Sequence, residues 1–166
     1  MKQLKNIIAL CLISMLAFAC EKEIAEEPKT EEQPPEERVI DNGVKSQAMS
    51  VAEAIGQDDG TQVCIKGYIV ASTQRSMSNC DFEAPFSGSS AIVMADIPVS
   101  EGGDDEDAEA DLLPVCLTDC SKSIRTALNL ENNPQLWNHL IYIYGTRSQY
   151  MSTEGLKKVT AYEVAQ

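Results

Sequence analysis

The apolar and polar positions of this chain follow two periods. Over residues 62–71, Val63, Ile65 and Ile69 alternate with Lys66 and Tyr68, the two-residue period of a strand with one buried face. Gly67 falls in the apolar phase. A glycine inside an otherwise strong strand marks a sharp coil or the close approach of another backbone. Residues 140–147 repeat the arrangement, with Ile141 and Ile143 alternating and Gly145 in the same phase. Two coiled strands of this kind predict a small closed barrel.

Further apolar runs predict strands over residues 89–98, 112–118 and 156–164, the first of them stopped by Pro98, which has no amide to give to a ladder. Ser50-Val51-Ala52-Glu53 forms a capping box for a short helix ending at Gly56, whose Val51, Ala52 and Ile55 can plug one barrel end. Ser121 or Ser123 caps a second helix with Ile124, Ala127 and Leu128 on one face, and Asn132-Asn133-Pro134 ends it. Leu136 and Trp137 then anchor the return into the fourth strand, with Trp137 read as core rather than as a ligand contact. Polar, breaker-rich residues make loops of 72–88 and 148–155. The order is helix, strand, strand, strand, helix, strand, strand. The fold class is therefore mainly β: a five-stranded OB-fold-like Greek-key barrel with a short N-terminal helix and a helix between strands three and four.

The hydropathy pattern changes upstream of this domain. Residues 1–19 have the layout of a secretory signal, with Lys2 and Lys5 before the apolar run 7–18 and the small Ala19 before Cys20. Leu16-Ala17-Phe18-Ala19-Cys20 resembles a bacterial lipobox, which implies lipidation of Cys20 and a lipid-anchored protein of the outer membrane. Residues 20–48 are rich in Glu, Pro and Lys and read as a disordered acidic tether. Their paired glutamates resemble the export signal of Bacteroidetes surface lipoproteins, which implies a domain facing the cell exterior. Residues 49–166 then form the domain. Its Ser50 to Ile55, Lys66-Gly67-Tyr68-Ile69-Val70, Leu113-Pro114-Val115, Ala127-Leu128-Asn129-Leu130 and Gly155-Leu156-Lys157 resemble an OB-fold-like domain family of Bacteroidetes lipoproteins. The resemblance covers about the last two thirds of the chain and implies no catalytic residues.

The formal net charge is −13, and from Ser50 onward 7 Lys and Arg face 17 Asp and Glu, a balance that opposes the electrostatic term dominating nucleic-acid affinity. Nucleic acid is thus the less favoured partner. The acidic run 100–111 does not match the order of an EF-hand loop and reads as a solvated hairpin loop, so no metal is expected. The single His139 stands at a strand entry without a nucleophile elbow or phosphate loop, so no enzyme constellation and no cofactor are expected. Four cysteines follow Cys20, namely Cys64, Cys80, Cys116 and Cys120. In an exported domain this even number predicts two disulfides, with Cys80–Cys120 and Cys64–Cys116 favoured over the other pairings. Binding is then the expected role. The ligand-binding candidates are Tyr68, Arg75, Arg147 and Tyr150, while Tyr142 and Tyr144 serve equally well as ligand platforms or as barrel cover. A surface module for a glycan or an envelope protein partner is the favoured reading, with an extracellular single-stranded nucleic-acid binder as the alternative.

Overall fold

The computed structural model describes residues 40–99 and 111–165. The signal segment, Cys20, residues 20–39 of the tether and the acidic loop through residue 110 lie outside them. Strand β1 (Gln62–Thr73) is the longest feature of the first half of the domain, followed by the two-residue β2 (Cys80–Asp81), β3 (Ala91–Ala95), β4 (Leu113–Cys116), β5 (Leu140–Tyr150) and β6 (Thr153–Val164). Three short α-helices accompany them: α1 (Asn42–Lys45), α2 (Val51–Ile55) and α3 (Lys122–Leu128).

The sheet order is β2-β1-β3-β4-β6-β5, and β5 pairs again with β1, so the sheet closes on itself. All pairings are antiparallel except β4 with β6, which meet in parallel at Val115 and Leu156. Leaving β2 aside, the ring runs through the first, second, third, fifth and fourth long strands, with α3 between the third and the fourth. That is the OB-fold. The five expected strands are β1, β3, β4, β5 and β6, and both expected helices are present as α2 and α3.

The interior is one apolar cluster drawn from every long strand, including Ile65, Ile69, Ile92, Met94, Leu113, Val115, Ile141, Ile143 and Leu156, all fully buried. Helix α2 adds Val51 and Ala54, and α3 adds Ile124 and Leu128. A five-residue helix is too short to hold itself, and α2 is held by its caps. The Glu53 amide donates to Ser50 Oγ at 3.1 Å and the Ser50 amide to Glu53 Oε2 at 2.8 Å. The Val51 and Ala52 amides donate to the two carboxylate oxygens of Asp96, at 2.6 and 3.0 Å, which ties the helix start to the end of β3. Arg125 fixes α3 in turn, donating to the carbonyls of Leu117 at 2.9 Å and Thr118 at 2.6 Å. Trp137 packs on the core, its ring 6.2 Å from that of Phe86 and its Nε1 donating to the Val70 carbonyl at 3.0 Å, as a core residue should.

Four boundaries differ from the sequence reading. The expected loop 148–155 is mostly strand, because β5 and β6 are joined through Met151 and Ser152, with φ of 54° and 64°. Two successive left-handed residues are what a tight hairpin turn requires, but the usual Asn-Gly signal is missing. The second strand is shorter than expected, and the loop after β1 holds a 3-10 turn (Met77–Asn79) and β2, which pairs with Ser72 and Thr73. The last part of the stretch read as tether is folded: Ile40 is buried, α1 follows, and Met49 makes a parallel bridge to Ile65. The buried Ile40 and the bridge at Met49 tie this segment into the fold.

Gly67 and Gly145 behave as their phase predicted. A Cβ on Gly67 would stand 2.8 Å from Val51 Cγ2 and 2.9 Å from the Ala95 carbonyl oxygen, and one on Gly145 would meet the Lys157 carbonyl oxygen at 2.8 Å. Gly67→Ala should therefore destabilise the domain by about 2 kcal/mol, the usual cost of overpacking. Gly56→Ala, where the nearest atom is 3.6 Å away, should be close to neutral. Urea denaturation of the two variants checks this, and equal midpoints would refute the close packing of α2 on β1.

Candidate functional site

The outer surface of the barrel divides into two faces. On the first, formed by β1, β3 and β4, the chain covers itself. Val70, Ala71, Val93 and Ala95 are buried outside the barrel, with Tyr68, Met77, Cys80, Val99 and Leu112 packed against them. A bulge between Ile69 and Ala71 turns both Val70 and Ala71 outward. The Asn138 side chain pins the cover by accepting from the Val99 amide at 2.9 Å and donating to its carbonyl at 2.7 Å. The middle strands, where OB-folds take ligands by default, are thus buried under their own loops. The sequence carried this signal in Ala91-Ile92-Val93-Met94-Ala95, a continuous apolar run of the kind found in strands buried on both sides.

The second face is formed by β1, β5 and β6. Register brings Lys66 opposite Tyr142 and Tyr142 opposite Glu163, with Cys64 and Tyr144 one step along. Residues 40–48 lie on this face. Lys45 ion-pairs with Glu163, and its Nζ stands 4.6 Å from the centroid of the Tyr142 ring. Burial, with Glu163 nearby, raises the thiol pKa of Cys64.

Between these faces, where β3 leaves the edge of β1 and Met49 joins it, a cleft of 370 Å³ opens. Ser50, Lys66, Tyr68, Asp96 and Leu140 line it. Both Asp96 oxygens are engaged by the α2 amides. Lys66, by contrast, is exposed and makes no ion pair among the described residues. Lys66 escaped the sequence reading, although its alternation with Tyr68 on the outward phase of β1 placed the two side by side.

The four expected ligand-binding residues do not converge. Tyr68 lines the cleft. Arg75 is exposed on the loop after β1, in a left-handed conformation with φ of 64°. Arg147 is only 7% exposed and is committed to Glu154 and, at 3.7 Å, to Asp59. Its backbone also exchanges hydrogen bonds with Gly60 and Thr61 at 2.8 Å each, so it ties the loop before β1 to β5. Tyr150 is half-buried, its hydroxyl 3.4 Å from the Ser90 carbonyl and Lys157 Nζ 5.7 Å from its ring centroid. His139 is exposed at the entry to β5.

The four cysteines are free thiols, and the expected pairs Cys80–Cys120 and Cys64–Cys116 are not formed. The reason is placement. Cys64 sits beneath Lys45 on the second face, and Cys80 packs on the outer cluster of the first. Cys116 and Cys120 are joined by a turn instead, with Cys120 Sγ donating to the Cys116 carbonyl at 3.0 Å. Among the described residues no three His, Cys, Asp or Glu side chains gather in a geometry that could hold a metal ion.

A family model described as a domain of unknown function (DUF6359) matches residues 49–165. The chain belongs to this family. A solved structure, that of the hypothetical protein ygiW from E. coli, is similar to it with 14% sequence identity and a TM-score of 0.40, over 71% of this chain and 89% of that one. No curated protein matches. The DUF6359 match begins at Met49, so the docked residues 40–48 lie before the matched span, and of the cleft lining Ala48 lies before it while Ser50, Lys66, Tyr68, Asp96 and Leu140 lie within it.

Two predictions follow from the buried charges and thiols of the DUF6359 domain. Glu154→Ala leaves the buried Arg147 guanidinium with the Asp59 carboxylate at 3.7 Å and the Ile55 carbonyl at 3.4 Å, and should cost about 3 kcal/mol. In the double variant Arg147→Met with Glu154→Met, much of that loss should return. Urea titration distinguishes the two, and a loss below about 1 kcal/mol for the single variant would show that the pair is solvated. Burial also raises the thiol pKa values of Cys64, Cys80 and Cys120, that of Cys120 to about 12, and raises the Tyr150 hydroxyl above its ordinary range. Above the ordinary thiol value of 9.0 the unfolded chain releases protons that the native chain keeps. Stability should therefore fall as pH rises from 9 toward 12. A urea midpoint at pH 10 equal to or above that at pH 8 would refute the thiol burial.

Proposed function

We propose that this DUF6359 chain is a non-enzymatic lipoprotein of the cell envelope, lipidated at Cys20 and facing the cell exterior from the outer membrane, whose barrel is a binding module for a glycan. The observation that carries the binding reading is the cleft beside β1. It joins a tyrosine ring, an unpaired lysine and an apolar floor at Leu140 in a volume of 370 Å³, within the range of roughly 300–1,000 Å³ typical of small-molecule sites. A flat ring beside hydrogen-bonding groups suits a sugar, which offers an apolar face and polar edges.

The alternative, a single-stranded nucleic-acid binder, needs stacking residues on an open strand face and a basic groove. The face of β1, β3 and β4 is covered by its own loops, and acidic residues outnumber basic ones across the domain. The anchor reading rests on the lipobox-like residues before Cys20. A lipid-linked N-terminus carrying more than one acyl chain holds a protein stably at a membrane.

One set of measurements tests both parts. Cys20→Ala should move the protein from the membrane to the soluble fraction, and retention in the membrane would refute the anchor. The released full-length Cys20→Ala chain is then screened against a polysaccharide panel, single-stranded DNA and RNA at two salt concentrations. Binding to a polysaccharide, weakened about tenfold by Tyr68→Ala, is the expected result. Micromolar binding to single strands that weakens steeply with salt would overturn the glycan reading. Binding to none of them would replace the glycan by a protein partner.

A further inference from the structure

We propose that the cleft beside β1 selects a sugar bearing a single carboxylate, with Lys66 holding the carboxylate and Tyr68 carrying the ring. The inference deepens the glycan reading and rests on it. The charges at this edge of the barrel are unequally engaged. Asp96 gives both oxygens to the amides of Val51 and Ala52, so its charge is satisfied by helix α2. Lys45 is held by Glu163 and the Tyr142 ring, and Arg147 by Glu154 and Asp59. Lys66 is the cation of the cleft without an ion-pair partner among the described residues.

The neighbours of Lys66 fit the rest of such a ligand. The half-exposed Tyr68 stands two positions along the same outward phase of β1, and Leu140, opposite it in register, gives an apolar wall. The Tyr68 hydroxyl has no hydrogen-bond partner among the described residues, which leaves it free for a sugar hydroxyl. The position of Lys66 is also fixed from both sides: its amide donates to the Met49 carbonyl at 2.9 Å, and its Cα faces that of Tyr142 on β5. A point charge on a rigid strand, beside a ring and a hydroxyl, recognises a carboxylate attached to a hydroxylated ring. One carboxylate suits the site better than many, because long-range repulsion from a chain of net charge −13 grows with the charge of the ligand.

The test uses the full-length Cys20→Ala chain and calorimetric or ligand-observed NMR titration with D-glucuronate, D-glucose and acetate. Glucuronate should bind about five- to tenfold more tightly than either of the others, the worth of one charge-assisted contact at an exposed site. The advantage should vanish in Lys66→Met, survive in Lys66→Arg and shrink as salt rises. Tyr68→Ala should weaken glucuronate and glucose alike. Equal binding of glucuronate and glucose, or an unchanged glucuronate affinity in Lys66→Met, would overturn the carboxylate inference and leave the glycan reading standing. Acetate binding as tightly as glucuronate would overturn the role of the ring. No response to any sugar, together with no binding in the polysaccharide panel, would overturn both.

Discussion

The structure depends on one strand serving two partners. The first half of β1 pairs with β5 and its second half with β3, and they meet at Tyr68, which faces Leu140 on one side and Ala95 on the other. A strand can do this only by coiling strongly, because flat neighbours would diverge instead of meeting around a core. Gly67 and the bulge at Ile69 and Ala71 supply the bend on either side of Tyr68. At the bend, the missing side chain of Gly67 makes room for Val51, so α2 enters the space that the coil opens. Asp96 then closes the same corner by holding the start of α2. Barrel closure, helix docking and the cleft beside β1 are thus consequences of a single bend.

This dependence explains which parts were legible in the sequence. The glycines at 67 and 145 stand out because each interrupts an alternating run in its buried phase, and the capping box at Ser50 is a local signal for a local structure. Strand order followed from element order alone. The turn at Met151 and Ser152 was hidden because neither residue announces a left-handed conformation; the long pairing of β5 with β6 imposes it. The folded residues 40–48 were hidden for a related reason. Their three apolar side chains are too few to show a period, and what places them is contact with Tyr142 and Glu163, about a hundred residues later in the chain.

The site was legible only at Tyr68. Arg147 reads as a free basic residue near a strand end, yet it lies in the inward phase of β5 and is taken by two carboxylates, Glu154 of β6 and Asp59 of the loop before β1. The cysteines show the limit of counting: an even number says nothing of which faces carry them, and here register sends Cys64 and Cys116 to different parts of the barrel surface. Lys66 acquires its meaning only by subtraction, once the neighbouring charges have been matched to their partners.

The docked segment before Met49 also has a mechanical side. Among the described residues its grip on the barrel includes the ion pair and ring contact of Lys45 and two backbone hydrogen bonds at Met49, of 3.0 and 2.9 Å. A pull on the chain from its N-terminal side reaches these contacts before it reaches α2 or β1. The ladder between β1 and β5, by contrast, spans seven facing pairs. A load applied from that side would therefore meet residues 40–48 first, before the longer ladder that holds β1 to β5.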